Sequence, residues 1–251
     1  MIALLLIRAV VMATAGAVVT LAQLNLPSSG FWEKQVFLQW ASVLTLAAFV
    51  IYDAVRSVNL AIQSARIREY DNDVRACLSA AISAVIEATG APWDELAVRY
   101  YGLRGILFWR RLELIAAVCA GANLVDSQRS FRPGMGVAGQ AFLQQVNIAV
   151  EWGEFVRSAT EAGPGAWAGC GERERYGLSW GQLRRSPQPD GVIASPTFAL
   201  NGDPNGCIVV SGPLKVVDMA GDNVRRTLDE LATVLDQLGS PPRGWWGAHE
   251  R

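Results

Sequence analysis

Two stretches near the start of the chain are apolar without interruption. No charged residue occurs from Ala9 to Trp32, and none from Gln35 to Tyr52. The first holds AVVMATAGAVVTLAQLNL, close to the ~20 residues a helix needs to cross a bilayer. The second, QVFLQWASVLTLAAFVIY, is slightly shorter and extends past Asp53 through AVRSV. PSSGFWEKQ lies between them, with Pro27 and Gly30 as helix breakers. Two such windows joined by a short loop predict a two-span transmembrane hairpin over residues 1–58. Phe31, Trp32, Trp40 and Tyr52 are expected as interfacial anchors, and Asp53 as a cap at the membrane edge. A cleaved signal peptide fits less well, because Arg8 follows the first apolar residues instead of preceding them. Arg8 before the first span and Arg56, Arg66 and Arg68 after the second place both termini on the cytoplasmic side of the inner (cell) membrane.

Beyond the membrane windows the pattern becomes amphipathic. From Val55 to Ala88 there is no Gly or Pro, and Ile62, Ile67, Val74, Leu78, Ile82 and Val85 recur near helical spacing until Gly90 and Pro92. A connecting helix over 59–90 is expected, leading into the next domain. Then the period shortens. LAVRYYGL (96–103), LELIAAVCA (112–120), VIASPTFAL (192–200) and GCIVVSGP (206–213) are short, rich in β-branched and aromatic residues, and bounded by Gly or Pro. NGDPNG (201–206) is hairpin-turn chemistry. A final helix from about Asp222 to Leu238 sets Val224, Leu228, Leu231, Val234, Leu235 and Leu238 on one face, and Gly239 ends it. The expected fold class is α+β, an antiparallel sheet flanked by helices over 91–239, with its helix from about 71. Residues 240–251 are expected as a disordered tail, with Trp245 and Trp246 resting on the bilayer.

Composition narrows the chemistry. With 51% apolar and 18% charged residues, the chain is greasier than soluble domains, which carry about 25% charged residues. A net charge of -1 gives no electrostatic support to binding a nucleic-acid duplex. His249 is the one histidine, and Lys34 and Lys215 are the two lysines. Histidine triads and His-rich metal sites are thereby excluded, and a non-enzyme without metal or cofactor is expected. Cys77, Cys119, Cys170 and Cys207 form no C-x-x-C pair, so at least three are expected as small buried hydrophobes, with Cys170 the most exposed.

Certain segments resemble a family. FRPGMGVAGQAFLQQ (131–145) is similar to the G-x-G-x-x-G segment of GAF domains, which links a strand to a helix over the ligand pocket. VIASPTFALNGDPNGCIVVSGP (192–213) resembles the closing hairpin of that fold. RYGLSWGQLRRSPQPDG (175–191) resembles an insertion in a branch of bacterial GAF proteins. A dinucleotide-binding fold would require parallel βαβ units after the glycine motif, and none follows. The resemblance implies a pocket near the glycine loop, with Arg132, Gly134, Gly136, Gly139 and Trp180 as candidate ligand-binding residues. Glycines permit close backbone approach, the helix start after them suits an anionic group, and Arg129 and Arg132 flank the loop. Trp152 and Trp167 are further aromatic candidates, and Trp109-Arg110-Arg111 is a basic-aromatic cluster suited to anionic headgroups.

The function implied is a membrane-anchored cytosolic sensor of a small molecule, with nucleotide messengers among the candidate ligands. It would signal through homo-oligomerisation or rearrangement of its hairpin, and in its sharpest form as a membrane-disrupting antiphage effector. The alternative is a membrane scaffold whose GAF-like domain dimerises or recruits a partner protein. Expected partners are the lipid bilayer, a small-molecule ligand and a second copy of the chain.

Overall fold

The structure, a computed structural model, describes residues 2–105, 109–119 and 129–246, with side chains from residue 9. His249 lies outside them, as do Ala120 and residues 121–128. The chain divides into two compact units, Met1–Arg66 and Ile67–Arg251.

The first unit is helical. α1 (Ile2–Gln23) is followed by a turn, by α2 (Ser29–Lys34), and by the start of α3 (Val36–Thr89), whose remainder belongs to the second unit. Ser and Thr hydroxyls turn back onto their own helices: Thr14 donates to the Val10 carbonyl at 2.6 Å and Thr45 to that of Ala41 at 2.7 Å. Hydrogen bonding closed within a helix is what a hydrocarbon environment requires. Phe37, Trp40, Leu44, Val50 and Ile51 of α3 all face outward. Trp32 does not: it is 6% exposed, with its indole N–H donating to the Leu26 carbonyl at 2.8 Å, so it pins the turn. Among the described residues α3 alone is long and apolar enough to cross a membrane, by length and composition, whereas the apolar helix Ala9–Gln23 is shorter. That weakly suggests membrane association and does not support the multi-pass expectation.

In the second unit six strands form one antiparallel sheet. β1 (Ala97–Arg104), β2 (Arg111–Cys119), β3 (Ser130–Phe131), β4 (Ile148–Val150), β5 (Gly191–Phe198) and β6 (Pro204–Gly212) lie in the order β3-β2-β1-β6-β5-β4. The four strands read from the sequence pattern are present. The two-residue β3 and three-residue β4 are edge strands too short to show a period. The β5–β6 hairpin closes through the Ala199 N–H donating to Asp203 at 2.8 Å, with Gly202 at φ +81.

Alternation along the central strands feeds two cores. On one face Val98, Tyr100, Ile193, Ile208 and Val210 pack against the later part of α3 (Tyr70, Val74, Leu78, Ile82, Val85) and against α8 (Asp222–Leu238). α8 buries Val224, Leu228, Leu231 and Leu235, while Val234, expected on that face, is exposed. Trp245 joins the same core at 1% exposed, and Trp246 lies under the Arg104 guanidinium at 5.0 Å. The described start of the tail is therefore packed, not disordered, because two tryptophans offer more apolar surface than the chain entropy opposes. The opposite face carries Tyr101, Val192, Ala194, Cys207 and Val209 against α4 (Gly136–Gln144) and α5 (Trp152–Gly169). α5 kinks at Gly163–Pro164, where φ is +83 at the glycine.

Candidate functional site

The loop before α4 is held by backbone and by one side chain. The Gly134 N–H donates to the Gly139 carbonyl at 2.8 Å, and Gln140 Nε2 donates to the Gly134 carbonyl at 2.7 Å. The Gly136 N–H donates to Tyr176 at 2.7 Å, tying the loop to the 175–191 segment. Gly134 and Gly136 both have positive φ, +86 and +71. Gly139 acts by closeness: a Cβ there would stand 2.9 Å from the Arg132 carbonyl oxygen. Gly177, at φ +62, lies so close to the Gly134 carbonyl that a Cβ would collide with it.

Between this loop, α4 and the sheet is a cavity of about 140 Å³. Gly136, Val137 and Ala138 form one wall; Tyr101, Val192, Val209 and Phe131 form others. Tyr101 meets Phe131 edge-on with ring centroids 4.7 Å apart. Trp152 adds a third aromatic, its indole N–H donating to the Pro187 carbonyl at 3.1 Å and so holding the 186–189 segment over the cavity. Two polar side chains enter from the strands. Arg99 of β1 is 7% exposed, and its Nη1 donates to Ser211 Oγ of β6 at 2.8 Å. The register explains the pair: Arg99 faces Val209 and Ala97 faces Ser211, so both side chains stand on the α4 face of the sheet.

The sequence-derived candidates divide around this loop. Gly136 lines the cavity. Arg132 is exposed and lines, with Gly134, Arg111 and Arg173, an adjoining cleft of about 780 Å³ that shares Phe131 and Met135 with the cavity. Gly139 is a packing residue. Trp180 opens the short helix α6 (Trp180–Leu183) and leans on Trp167 at 6.2 Å, lining none of these spaces. Trp109 is exposed and separate from the cavity.

Arg99 and Ser211 were missed. Their signal was an arginine inside LAVRYYGL, an otherwise apolar strand; a charge buried at a sheet's centre is costly and invites a reason. Of the cysteines only Cys207 is buried, and burial pushes its thiol up, which favours the neutral form; Cys77, Cys119 and Cys170 are half-buried, fewer interior than expected. Among the described residues no cluster of His, Cys, Asp and Glu could hold a metal ion.

No family model and no curated protein matches the chain. Solved structures do. A free methionine-R-sulfoxide reductase from Neisseria meningitidis is similar at 19% identity, covering 70% of this chain and 83% of that one, with a TM-score of 0.42. The type II enzyme from Thermoplasma acidophilum gives 18%, 67%, 94% and 0.43 in the same order. The GAF domain of a two-component sensor histidine kinase from Bacillus halodurans gives 11%, 67%, 91% and 0.40. The likeness is one of fold, and it is GAF-like. The expectation of a non-enzyme is corrected by the reductases among the similar structures.

Proposed function

We propose that the chain is a membrane-anchored receptor whose sheet unit takes a small molecule into the cavity behind α4. The observation that carries this is the lining of that cavity. On the α4 face lies a space of about 140 Å³ walled by aromatic rings and entered by Arg99 and Ser211, whereas the cleft of about 760 Å³ on the other face, between β5 and α8, is lined by Ile193, Met219, Asp229 and Asp236 and has no aromatic wall but Phe198. Concave apolar space with a few convergent polar groups is the usual form of a ligand site. The apolar helices serve as anchor, in two spans with both termini cytoplasmic. α3, shared by both units, is the element that would carry occupancy to the membrane. A second copy of the chain is the partner through which the helices respond, and membrane disruption in antiviral defence is the strongest form of that response.

Native mass spectrometry of the full chain released from detergent tests the receptor. A bound small molecule that is lost in Ala138→Leu, which fills the cavity, is the expected result. A bare chain under all loading conditions defeats it. Dye leakage from liposomes carrying the chain, with and without cytosolic extract, tests the disruptive form; leakage indifferent to extract removes it. A reporter fused after Arg251 should read cytoplasmic.

A further inference from the structure

We propose that the cleft lined by Arg111, Arg132 and Arg173 is a second binding site, for a small soluble molecule carrying a phosphate monoester. The site goes beyond the receptor reading and does not depend on it. Arg111 and Arg132 stand next to Leu112 and Phe131, the last paired residues at one end of the β2–β3 ladder. Arg173 comes from the turn that precedes Gly177. Three guanidiniums from three chain segments thus border one space. Among the described residues no ion pair joins any of them to a carboxylate. Glu172 is the one acidic residue in the described lining, so its side chains keep two positive charges in excess. Like charges gathered in this way repel, and a bridging dianion removes the repulsion. The backbone holds the segments in place before any ligand arrives. The Met135 N–H donates to the Arg132 carbonyl at 3.1 Å, and the Gly177 N–H to that of Glu172 at 2.9 Å. The bond from Gly136 to Tyr176 ties the turn that bears Arg173 to the loop that bears Arg132. Donors already positioned lose less freedom on binding.

Charge and size set the class of ligand. Guanidinium forks match phosphate oxygens in pairs, and a phosphate monoester brings close to two negative charges at neutral pH. That equals the excess of the lining. Small-molecule sites occupy about 300–1,000 Å³. At about 780 Å³ the cleft has room for a body beyond the phosphate. Leu143, 59% exposed, offers that body apolar contact together with Phe131 and Met135.

Phenyl phosphate, inorganic phosphate and phenol are the probes, titrated by calorimetry into the detergent-solubilised full chain. Phenyl phosphate should bind, with inorganic phosphate and phenol each about tenfold weaker or more, because only phenyl phosphate offers both the charge and a body. Arg132→Gln and Arg173→Gln, both at exposed positions, should each weaken phenyl phosphate about tenfold at an unchanged melting temperature. Glu172→Gln should strengthen it about threefold, because it removes the one negative charge of the lining. Arg185→Gln, at an exposed position outside the cleft, should leave it unchanged. No phenyl phosphate binding, an equal loss in Arg185→Gln, or no gain in Glu172→Gln each overturns the site. Inorganic phosphate or phenol equal to phenyl phosphate overturns the class of ligand. Ala138→Leu, which fills the cavity behind α4, should not alter phenyl phosphate binding. A loss there would place the molecule in the cavity and overturn the second site while leaving the receptor reading intact.

Discussion

Valines 209 and 210 are neighbours on β6 and live in different environments. Val210 points into the core made with α3 and α8, 0% exposed among Leu78, Ile82, Leu228 and Leu231. Val209 points to the other face and lines the cavity with Arg99 and Tyr101. The α3/α8 face is built from two long helices with apolar residues at helical spacing. The α4/α5 face is built from a nine-residue helix, a kinked helix and positive-φ glycines. Regular elements fill space well, and irregular ones leave space and place backbone close to it. The two valines therefore differ in local packing, although the α8 side also carries a cleft of about 760 Å³ beside Ile193, Met219 and Asp236.

The largest effect should come from breaking the filled side. Leu228 is completely buried, so Leu228→Ala leaves a hole that long helices close poorly, at a cost of about 2–5 kcal/mol. Denaturant melts of the solubilised chain should show a lower midpoint with unchanged slope. A loss below ~1 kcal/mol would mean that this face is not the stabilising one.

On the other side the equivalent weak points are glycines. Gly177→Ala meets both a positive φ and the Gly134 carbonyl, so about 1–3 kcal/mol should be lost together with ligand binding, since Gly134 and the start of α4 must shift. Gly136→Ala meets open space, and only its φ of +71 opposes it, for about 1–2 kcal/mol. If the two variants melt together, contact with the 175–191 segment does not hold the loop.

How far each side was legible follows from the same contrast. Val74, Leu78, Ile82 and Val85, or Leu228, Leu231 and Leu235, repeat often enough to declare their face, as did the strands at 97–104 and 204–212. The glycine loop was visible because positive-φ positions select glycine. Arg99 and Ser211 are far apart in sequence and meet only through strand register, so no local pattern joins them. Trp180 and Arg132 were plausible by proximity to the motif. Which side of a loop a residue faces is decided by tertiary packing, and both fall outside the cavity.

Tyr100 offers a pH test of the filled side. Burial pushes its phenol from 10 up to about 12, against a hydrogen bond with Thr197 that lowers it. The neutral form is favoured in the fold, so nothing is lost below pH 10. Stability declines as pH rises from 10 towards 12, where the unfolded phenol ionises and the folded one does not. At pH 11 the decline is about 1.4 kcal/mol, one unit of difference. Burial of Tyr70 acts in the same direction. Tyr100→Phe should flatten the melting-temperature profile between pH 9 and 11, and an unchanged slope would place the alkaline sensitivity elsewhere.

The smallest effect is the sharpest comparison, because it uses the two valines of β6 themselves. Val210→Ala removes methyl groups packed on every side and should cost about 1.5–3 kcal/mol. Val209→Ala removes the same atoms from the wall of an existing space, where some neighbours are already absent, so its cost should be lower by about 0.5–1 kcal/mol. Chemical identity, strand and main-chain setting are shared, so the difference reports only how well each face is filled. Val209→Ala also widens the cavity, so native mass spectrometry should show a change in any small molecule that variant retains and none in Val210→Ala. Equal melting losses with no change in the retained molecule would show that the two faces are packed alike and that the cavity takes no part in binding.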